Sequence, residues 1–431
     1  MNRRDFISKF FIGSCLIFSS GSLLGCIETQ ANPTKQKDIK KLKNPKLQYI
    51  QEDNIKGFPT GIIFHPSYYL YQGPSVGSFI ERPDRLIATV NKITNTKEVN
   101  ELPFFLPTHI SDEYILKVHS SIYLDHIKKM KNLYKNKSSF ISHQKNYNKD
   151  VPPLIPNNIS PYIAASLSVG GAIKAVDLVM KKHLKNVFSL IRPPGHHANS
   201  NRYMGFCIFN NVAIAARYAQ QKYKIKNILI VDWDVHHGNG TQEIFYSDPT
   251  VLYFSVHQYG LYPTKTGYIN EVGVKKGIGY NINVPLPPRT GPRGYQDTFE
   301  LMDSIVYSFK PELILVSAGQ DAHYNEKIAK MRLNNYSYAI LTKKVKQWAH
   351  DLCNDKLILL LEGGYNPYST SHSIINILRT LADIPIPKDE YLNEKIPKDI
   401  NFVDYKNTLN QVFITQSKYW KNIIIPSKIK L

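Results

Sequence analysis

Short runs of apolar, mostly β-branched residues recur along the chain from about residue 58, and each ends in a polar or glycine-rich turn. Runs that are apolar at every position are typical of strands buried on both faces, as in a parallel sheet. We therefore predict strands at 61–64, 187–191, 228–231, 251–256, 313–316 and 357–361.

Longer stretches with helical character separate these runs, and we predict helices at 161–182, 210–224, 294–309, 337–353 and 403–420. Regular alternation of strands and helices favours an α/β fold in which helices cover both faces of a parallel sheet. On this basis residues 58–385 form one domain, and residues 386–431 are a C-terminal extension.

The first 26 residues have the order of an export signal, in which basic residues precede an apolar run and a small-residue junction. Arg3 and Arg4 resemble the start of a twin-arginine signal, and Leu24-Gly25-Cys26 resembles a bacterial lipobox. The alternative is a buried N-terminal helix with a chance cysteine. We expect export, to the periplasm or to a membrane through lipid on Cys26, with residues 27–57 as a tether.

The chain of 431 residues is strongly basic, with 54 Lys and Arg against 34 Asp and Glu and a net charge of +20. Removal of residues 1–25 takes away three basic and one acidic side chain, which leaves +18. The lysines are spread along the chain and not clustered with base-reading side chains, so we expect no specific nucleic-acid partner. This charge would repel polycationic ligands. Of the four cysteines, two fall within the signal, which excludes a disulfide framework.

In parallel α/β sheets, ligands bind outside the carboxyl ends of the strands. Reactive side chains follow five of the predicted strands: His196 and His197; Asp232, Asp234 and His236; His257; Asp321 and His323; and Glu362 with Tyr365. The sequence therefore predicts one site at that edge of the sheet.

Asp232, Asp234 and His236 alternate, so in an extended segment they project to the same side. A carboxylate and an imidazole two residues apart can bind one metal ion, and Asp321 can add a third ligand from another strand. Two Asp and one His with an open position indicate a catalytic divalent ion, with zinc favoured and iron(II) left open.

The adjacent His196 and His197 suit proton transfer, because water activation needs an acceptor and an amine leaving group needs a donor. Asp232 and Asn239 are candidates to fix their tautomers. A phenol such as Tyr365 beside a metal can hydrogen-bond a developing oxyanion. Together these groups indicate metal-assisted hydrolysis of an amide or a related carbonyl.

Taken singly, each motif has an ordinary structural interpretation: an Asp-x-His segment can be solvated, and Gly-Gly-Tyr is usually a turn. His119 and His257 can be buried structural histidines, and His323 is expected to orient or pack and not to ligate. Phe206 and Tyr262 can be plain core aromatics. The combination of four loops after four strands favours a catalytic site.

The segments 192–198, 204–211, 232–240, 317–323 and 362–365 closely resemble motifs of the histone deacetylase and acetylpolyamine amidohydrolase superfamily, and 81–86 resembles its N-terminal signature. The resemblance covers roughly residues 60–380 and is strongest to the class II and bacterial branch. It implies a three-layer arginase–deacetylase fold with a central sheet of eight parallel strands.

The resemblance also implies roles for individual residues. Zinc would be held by Asp234, His236 and Asp321, and a structural potassium ion would touch Asp232, Asp234, His236 and Ser255. His197 would be the general base and acid, with His196 as its electrostatic partner. Asp232 would orient His196, and Asn239 would orient His197. Tyr365 would polarise the acyl carbonyl, and the substrate tunnel would be formed by Gly205, Phe206, Tyr262 and Gly364.

Some positions depart from the family pattern. Asn239 is uncharged where some relatives carry Asp, so the His197 cation should be less stabilised. Gln320 stands where relatives usually carry an aromatic or small residue, and Arg289 where Gly is common. With the high net charge, Arg289 argues against a polycationic substrate.

The expected activity is hydrolysis of an acyl-amine, an acetyl-lysine or another N-acetylated primary amine. A catalytically silent acyl-amine binder on the same fold is the main alternative. A two-metal ureohydrolase such as an arginase would need further Asp ligands, and a basic surface-binding lipoprotein would show steep salt dependence. The sequence leaves the substrate and the oligomeric state open.

Overall fold

The computed structural model describes residues 47–55, 57–71, 80–130, 159–388, 402–421 and 423–425. The predicted export signal, most of the predicted tether and the lipidation site lie outside these residues. The described residues belong to one compact unit.

One sheet of eight strands, all parallel, forms the centre of the fold, as the resemblance implied. The strands are β1 (Thr60–Ile63), β2 (Phe104–Phe105), β3 (Asn186–Ser189), β4 (Ile228–Asp232), β5 (Val251–Gln258), β6 (Asn281–Leu286), β7 (Leu313–Ala318) and β8 (Leu357–Leu361). Their order across the sheet is β2-β1-β3-β8-β7-β4-β5-β6. The fold is therefore the three-layer α/β fold of arginases and deacetylases.

Helices cover the sheet. They are α1 (Asp84–Thr94), α2 (Lys97–Asn100), α3 (Asp112–Ile115), α4 (Ser121–Lys129), α5 (Pro161–Met180), α6 (Asn211–Tyr223), α7 (Asn239–Phe245), α8 (Pro292–Leu301), α9 (Asp303–Phe309), α10 (Asn335–Cys353), α11 (Pro367–Leu381) and α12 (Phe402–Gln416). Helices α5 and α6 pack together against the sheet, and α1, α10 and α11 form a second packed group. The predicted helix at 294–309 is two helices, α8 and α9, which meet at Met302.

Polar residues fix where several helices begin. The Asn210 side chain accepts a hydrogen bond from the Ala213 amide at the start of α6. Asn366 does the same for α11, which continues with Pro367. These side chains satisfy amides that have no partner within the helix, so the helix starts are set by the sequence.

Two strands escaped the sequence prediction. Strand β2 has only two residues, too short to stand out as an apolar run. In β6, Asn281 and Asn283 alternate with apolar residues and Pro285 follows, so the segment lacks the continuous apolar pattern. Both asparagines are buried and donate side-chain hydrogen bonds to Gln242.

The two ends of the described chain contact the sheet. Tyr49, within the predicted tether, pairs with Phe104 of β2. The C-terminal helix ends at Gln416, four residues before the predicted end, and packs against β6 and α8. Tyr405, Leu409 and Val412 of this helix are buried, so it contributes to the common core.

Among the described residues, α5 is the one helix long and apolar enough to cross a bilayer. Its apolar window is 67% buried inside the protein, as expected for a core helix.

Strands β3, β8, β7 and β4 are consecutive neighbours in the sheet. The loops that follow them carry the predicted histidine pair, the Gly-Gly-Tyr segment, Asp321 and the Asp-x-Asp-x-His segment. The topology therefore brings the predicted reactive groups to one edge.

Candidate active site

Asp234, His236 and Asp321 form a buried group of metal-ligand type, with one candidate ligand atom from each residue and all three atoms within 4.8 Å of one another. His236 Nδ1 lies 3.0 Å from Asp234 Oδ1 and 3.0 Å from Asp321 Oδ2. The second oxygen of Asp321, Oδ1, accepts the Val235 amide at 2.9 Å, which orients the carboxylate. Buried Asp321 Oδ2 lies close to His236 Nδ1 but accepts no hydrogen bond of good geometry. Two carboxylates and an imidazole, with one oxygen lacking a well-formed hydrogen bond, fit a zinc ion.

Glycines allow the backbone to approach these carboxylates. A Cβ at Gly363 would overlap Asp321 Oδ2 and Asp234 Oδ2, and one at Gly319 would overlap the Asp234 carboxylate. The Gly363 amide donates to Asp234 Oδ2 at 2.7 Å. The loops after β7 and β8 therefore enclose the ligand group closely, at positions where only glycine fits without displacement.

The His196 and His197 side chains are adjacent, with ring centroids 4.0 Å apart, and each has the partner that the sequence suggested. His196 Nδ1 lies 3.0 Å from Asp232 Oδ2, and His197 Nδ1 lies 2.8 Å from Asn239 Oδ1. The Asn239 amide nitrogen donates to Asn199, which leaves its oxygen to accept from His197. His197 therefore carries its proton on Nδ1 and has Nε2 free to accept one.

The two histidines have opposite electrostatic surroundings. Burial disfavours the charged form of His196, but Asp232, Asp234 and Glu362 outweigh it and raise the pKa to about 10. Burial lowers the pKa of His197 well below its usual value, and the charges on His196 and His236 lower it further. The surroundings of His196 favour its charged form and those of His197 favour its neutral form, a difference that can separate the roles of two adjacent imidazoles.

Tyr365 follows Gly363 and Gly364 in the loop after β8 and is half-buried. Its ring centroid lies 5.9 Å from that of Phe206, and the Arg85 guanidinium lies 5.6 Å from the Tyr365 ring centroid. Burial raises the pKa of the Tyr365 phenol well above its usual value, and the Asp321 and Asp234 charges add to the rise. The phenol therefore remains a hydrogen-bond donor at physiological pH.

Of the predicted tunnel residues, Tyr262 and Gly205 lie beside His197, and Phe206 lies beside Tyr365. The Tyr262 ring centroid lies 5.2 Å from that of His197 and 6.4 Å from that of His236, and Tyr262 is 43% exposed. Gly205 has a φ of +52°, and a Cβ there would overlap the His197 ring. Phe206 has a φ of +69°, in the left-handed region, and Gly364 a φ of +107°. Gln320, in contrast, is fully buried and donates to the Ala318 carbonyl.

Ser255 pairs in register with Asp232 across β4 and β5, next to the metal-ligand segment. Its hydroxyl lies 2.9 Å from His257 Nδ1, and His257 Nε2 lies 3.0 Å from the Gly267 carbonyl oxygen. Because that carbonyl can only accept, His257 is protonated on Nε2 and the Ser255 hydroxyl donates to Nδ1. The bond from Ser255 to His257 therefore uses the hydroxyl hydrogen of Ser255 and not its lone pairs.

His196, Cys207 and Glu362 form a second group with ligand-type spacing. Glu362 accepts the Gly195 amide at 2.6 Å, the His196 amide at 3.1 Å and the Ser317 hydroxyl at 3.1 Å. Cys207 Sγ donates to the Gly205 carbonyl, and His196 Nδ1 is engaged by Asp232. Since protein groups already satisfy these atoms, the cluster is accounted for as a hydrogen-bonded support of the histidine pair.

The histidines expected to be structural have protein partners. His119 Nε2 accepts the Asn210 amide at 2.9 Å. His323 Nδ1 accepts the Asn325 amide at 3.1 Å, and its ring stacks on Tyr324. Neither residue belongs to the ligand-type groups found among the described residues.

Several residues that hydrogen-bond to the site residues were assigned no role from the sequence. Tyr253 donates its hydroxyl to Asp232 Oδ2 at 2.9 Å, and its position in β5, two residues before Ser255, could have indicated this. Glu362 was named as a reactive side chain directly after a predicted strand, but no role was assigned to it. Glu326, in an irregular segment, accepts the Tyr365 and Asn366 amides, and no sequence pattern pointed to it.

Comparison with known proteins gives consistent results. Residues 79–381 match the family described as Histone deacetylase domain. A protein named Probable deacetylase from Archaeoglobus fulgidus is 36% identical over 377 residues, which cover 84% of this chain and 99% of that protein. Polyamine deacetylase HDAC10 from Danio rerio is 35% identical over 350 residues, which cover 80% of this chain and 49% of that protein.

Among solved structures, the HD domain of HDA15 matches with a TM-score of 0.71 and 31% sequence identity. That match covers 84% of this chain and 95% of the solved chain.

Proposed function

Because the chain belongs to the histone deacetylase family, we propose that it is a zinc-dependent amidohydrolase that removes an acyl group, in the simplest case acetyl, from a primary amine. The observation that carries this proposal is the placement of two adjacent histidines, one paired with the Asp232 carboxylate and the other with the Asn239 amide oxygen, beside the Asp234, His236 and Asp321 group. Such a pair can supply a positive charge and a proton acceptor in one site.

Asp234, His236 and Asp321 would hold the zinc ion. Zinc supplies Lewis-acid polarisation of a carbonyl and acidification of water when it is bound. His197 Nε2 then accepts the proton of the attacking water, because its Nδ1 is occupied by the bond to Asn239. The same nitrogen returns the proton to the leaving amine.

The remaining groups stabilise the charge that develops on the carbonyl oxygen. Tyr365 donates its phenolic hydrogen bond to that oxygen. His196, held as a cation by Asp232, adds positive charge without giving up its proton. Gly205, Phe206, Tyr262 and Gly364 enclose the acyl chain.

We further propose that potassium binds at Asp232, Asp234, His236 and Ser255, which is supported by the register of Ser255 with Asp232 across β4 and β5. The proposed location is outside the inner membrane, in the periplasm or anchored through Cys26, a proposal that rests on the sequence of the first 26 residues.

The proposed activity is tested with the purified full-length protein loaded with zinc. Its substrates are acetyl-lysine peptides, longer acyl-lysines, acetylputrescine and N-acetyl amino sugars, each with and without a hydroxamate inhibitor. We expect hydroxamate-sensitive acyl release from one substrate class, with acetylputrescine a poor substrate because of the basic protein surface. Tight hydroxamate binding without release from any substrate would contradict the proposal and favour a binding protein.

A further inference from the structure

Glu326 joins two loops of the candidate active site. It lies five residues after Asp321, in the segment that follows β7, and its own amide is held by the His323 carbonyl at 2.9 Å. Its Oε1 accepts the Tyr365 amide at 2.7 Å and the Asn366 amide at 2.8 Å. One carboxylate oxygen thus connects the loop of a proposed metal ligand to the loop of the proposed catalytic phenol.

Besides these two amides, the Gly-Gly-Tyr loop is held by the Gly363 amide, which donates to Asp234 Oδ2, and by its carbonyl oxygens. Arg85 donates to the Glu362 carbonyl at 2.6 Å, and the Gln320 amide donates to the Gly363 carbonyl at 3.0 Å. Gly363 and Gly364 carry no side chain that could fix the loop by packing. Glu326 is therefore the group that fixes the amides on either side of the Tyr365 Cα.

We propose that Glu326 is the positioning residue of Tyr365, and that its ionised carboxylate holds the phenol at the acyl carbonyl. This inference rests on the proposed hydrolase function for its catalytic consequence. Hydrogen bonds to a carboxylate are about twice as strong as those to a neutral acceptor, and both donors here stand at the start of α11, where negative charge is favoured.

Burial of the Glu326 carboxyl group disfavours its ionised form. Glu326 is 7% exposed, and burial raises its pKa to about 7; Asp321 raises it and the two amides and Arg85 lower it. The charged or titratable side chains that interact with Glu326 are Asp321, Arg85 and Tyr338. A buried carboxyl group with a raised pKa, placed between two loops of one site, is expected where it serves that site.

The chain offers a control with the same chemistry elsewhere. Glu312 Oε1 accepts the amides of Lys226 at 2.9 Å and Asn227 at 3.2 Å, again two consecutive donors. This residue is exposed and lies where β4 and β7 begin, at the opposite edge of the sheet. Replacement of Glu312 by Gln changes the same kind of contact at a distance from the proposed site.

The test compares turnover of the full-length zinc protein and its variants. We expect Glu326→Gln to lower kcat about tenfold with KM changed less than about twofold, and Glu326→Asp to recover part of the loss. Glu312→Gln should leave both constants unchanged. In a Tyr365→Phe background, Glu326→Gln should lower kcat no further, because its effect passes through the phenol. Independent, multiplicative losses, or equal behaviour of the two Gln variants, would overturn the inference.

An activity-independent readout separates this inference from the proposed function. Amide hydrogen exchange of residues 362–368 should accelerate in Glu326→Gln, and more in Glu326→Ala, but not in Glu312→Gln. If the wild-type protein releases no acyl group, the proposed hydrolase function is wrong, but hydrogen exchange still tests whether Glu326 holds the loop. If amide exchange were unchanged in both Glu326 variants, the inference that Glu326 positions the loop would be overturned, whatever the activity.

Discussion

At the scale of single residues, two adjacent histidines of the candidate site have different surroundings. His196 and His197 are adjacent in sequence, yet the first contacts a carboxylate and the second a neutral amide. The phenol of Tyr365 is kept protonated by burial and by nearby carboxylates. Each group is thus available in the protonation state that hydrolysis of an amide requires.

Tyr365→Phe removes one hydrogen-bond donor and leaves the ring in place. We expect turnover to fall about 100-fold or more with bound zinc unchanged, as for loss of an oxyanion donor. The control is Tyr368→Phe. Tyr368 lies three residues further along the chain and is 60% exposed, so this variant should have normal turnover. Normal turnover in Tyr365→Phe would remove the phenol from the mechanism.

Asn239→Asp places a negative charge against His197 Nδ1, which now lies 2.8 Å from the Asn239 oxygen. The charge stabilises the imidazolium and raises the pKa of His197, so its neutral form appears only at higher pH. The acid limb of the pH profile of kcat/KM should therefore move to higher pH. Asn199→Asp, one hydrogen bond further away, should give a smaller displacement. An unmoved acid limb in Asn239→Asp would contradict the assignment of His197 as the base.

At the scale of elements, four neighbouring strands deliver the reactive groups. Strands β3, β8, β7 and β4 stand side by side, although they are far apart in the chain. The sequence identified these strands because each is a continuous apolar run followed directly by reactive side chains. Their order across the sheet does not follow from local pattern and is given by the structure.

What the sequence missed has a common physical reason. Glu326 acts through a carboxylate that meets the backbone of a loop 39 residues away. Sequence periodicity and motif spacing cannot predict such a contact. The Tyr365 loop contributes only backbone amides, which every non-proline residue has. Strand β6 was missed because its asparagines belong to a buried polar network instead of an apolar run.

Gly363→Ala tests how closely the loop after β8 encloses the ligand group. An added Cβ would overlap carboxylate oxygens of Asp321 and Asp234, so these side chains must move. We expect lower zinc content after purification and turnover reduced in proportion. Gly57→Ala is the control. Gly57 has a φ of +78°, so alanine is strained there too, but no atom lies where the Cβ would be placed, and zinc content should not change. Full zinc content in Gly363→Ala would show that the loop after β8 moves to make room for the Cβ and that the ligand side chains do not.

At the scale of the whole molecule, the described residues form one domain with the deacetylase fold. The sequence that precedes them predicts where the protein is located. The family and the α/β fold were predicted correctly from the sequence. Export, lipidation and the substrate remain predictions that rest on the first 26 residues and on the overall charge.

Replacement of Cys26 by Ala should release the protein from the membrane fraction if this residue is lipidated. Cys15→Ala is the matched control, because Cys15 also lies within the predicted signal but not at its junction. Fractionation of cells expressing each variant would show the difference. Membrane retention of the Cys26→Ala variant would point to another anchor.

The central claim is that a zinc ion at Asp234, His236 and Asp321 is needed for acyl-amine hydrolysis. It is tested most directly by removing metal from the full-length protein with a chelator and titrating zinc back while turnover and bound zinc are measured together. We predict no turnover without metal, recovery in proportion to zinc up to about one ion per chain, and neither binding nor recovery in Asp321→Ala. Full turnover of the metal-free protein, or wild-type zinc content in Asp321→Ala, would contradict the account.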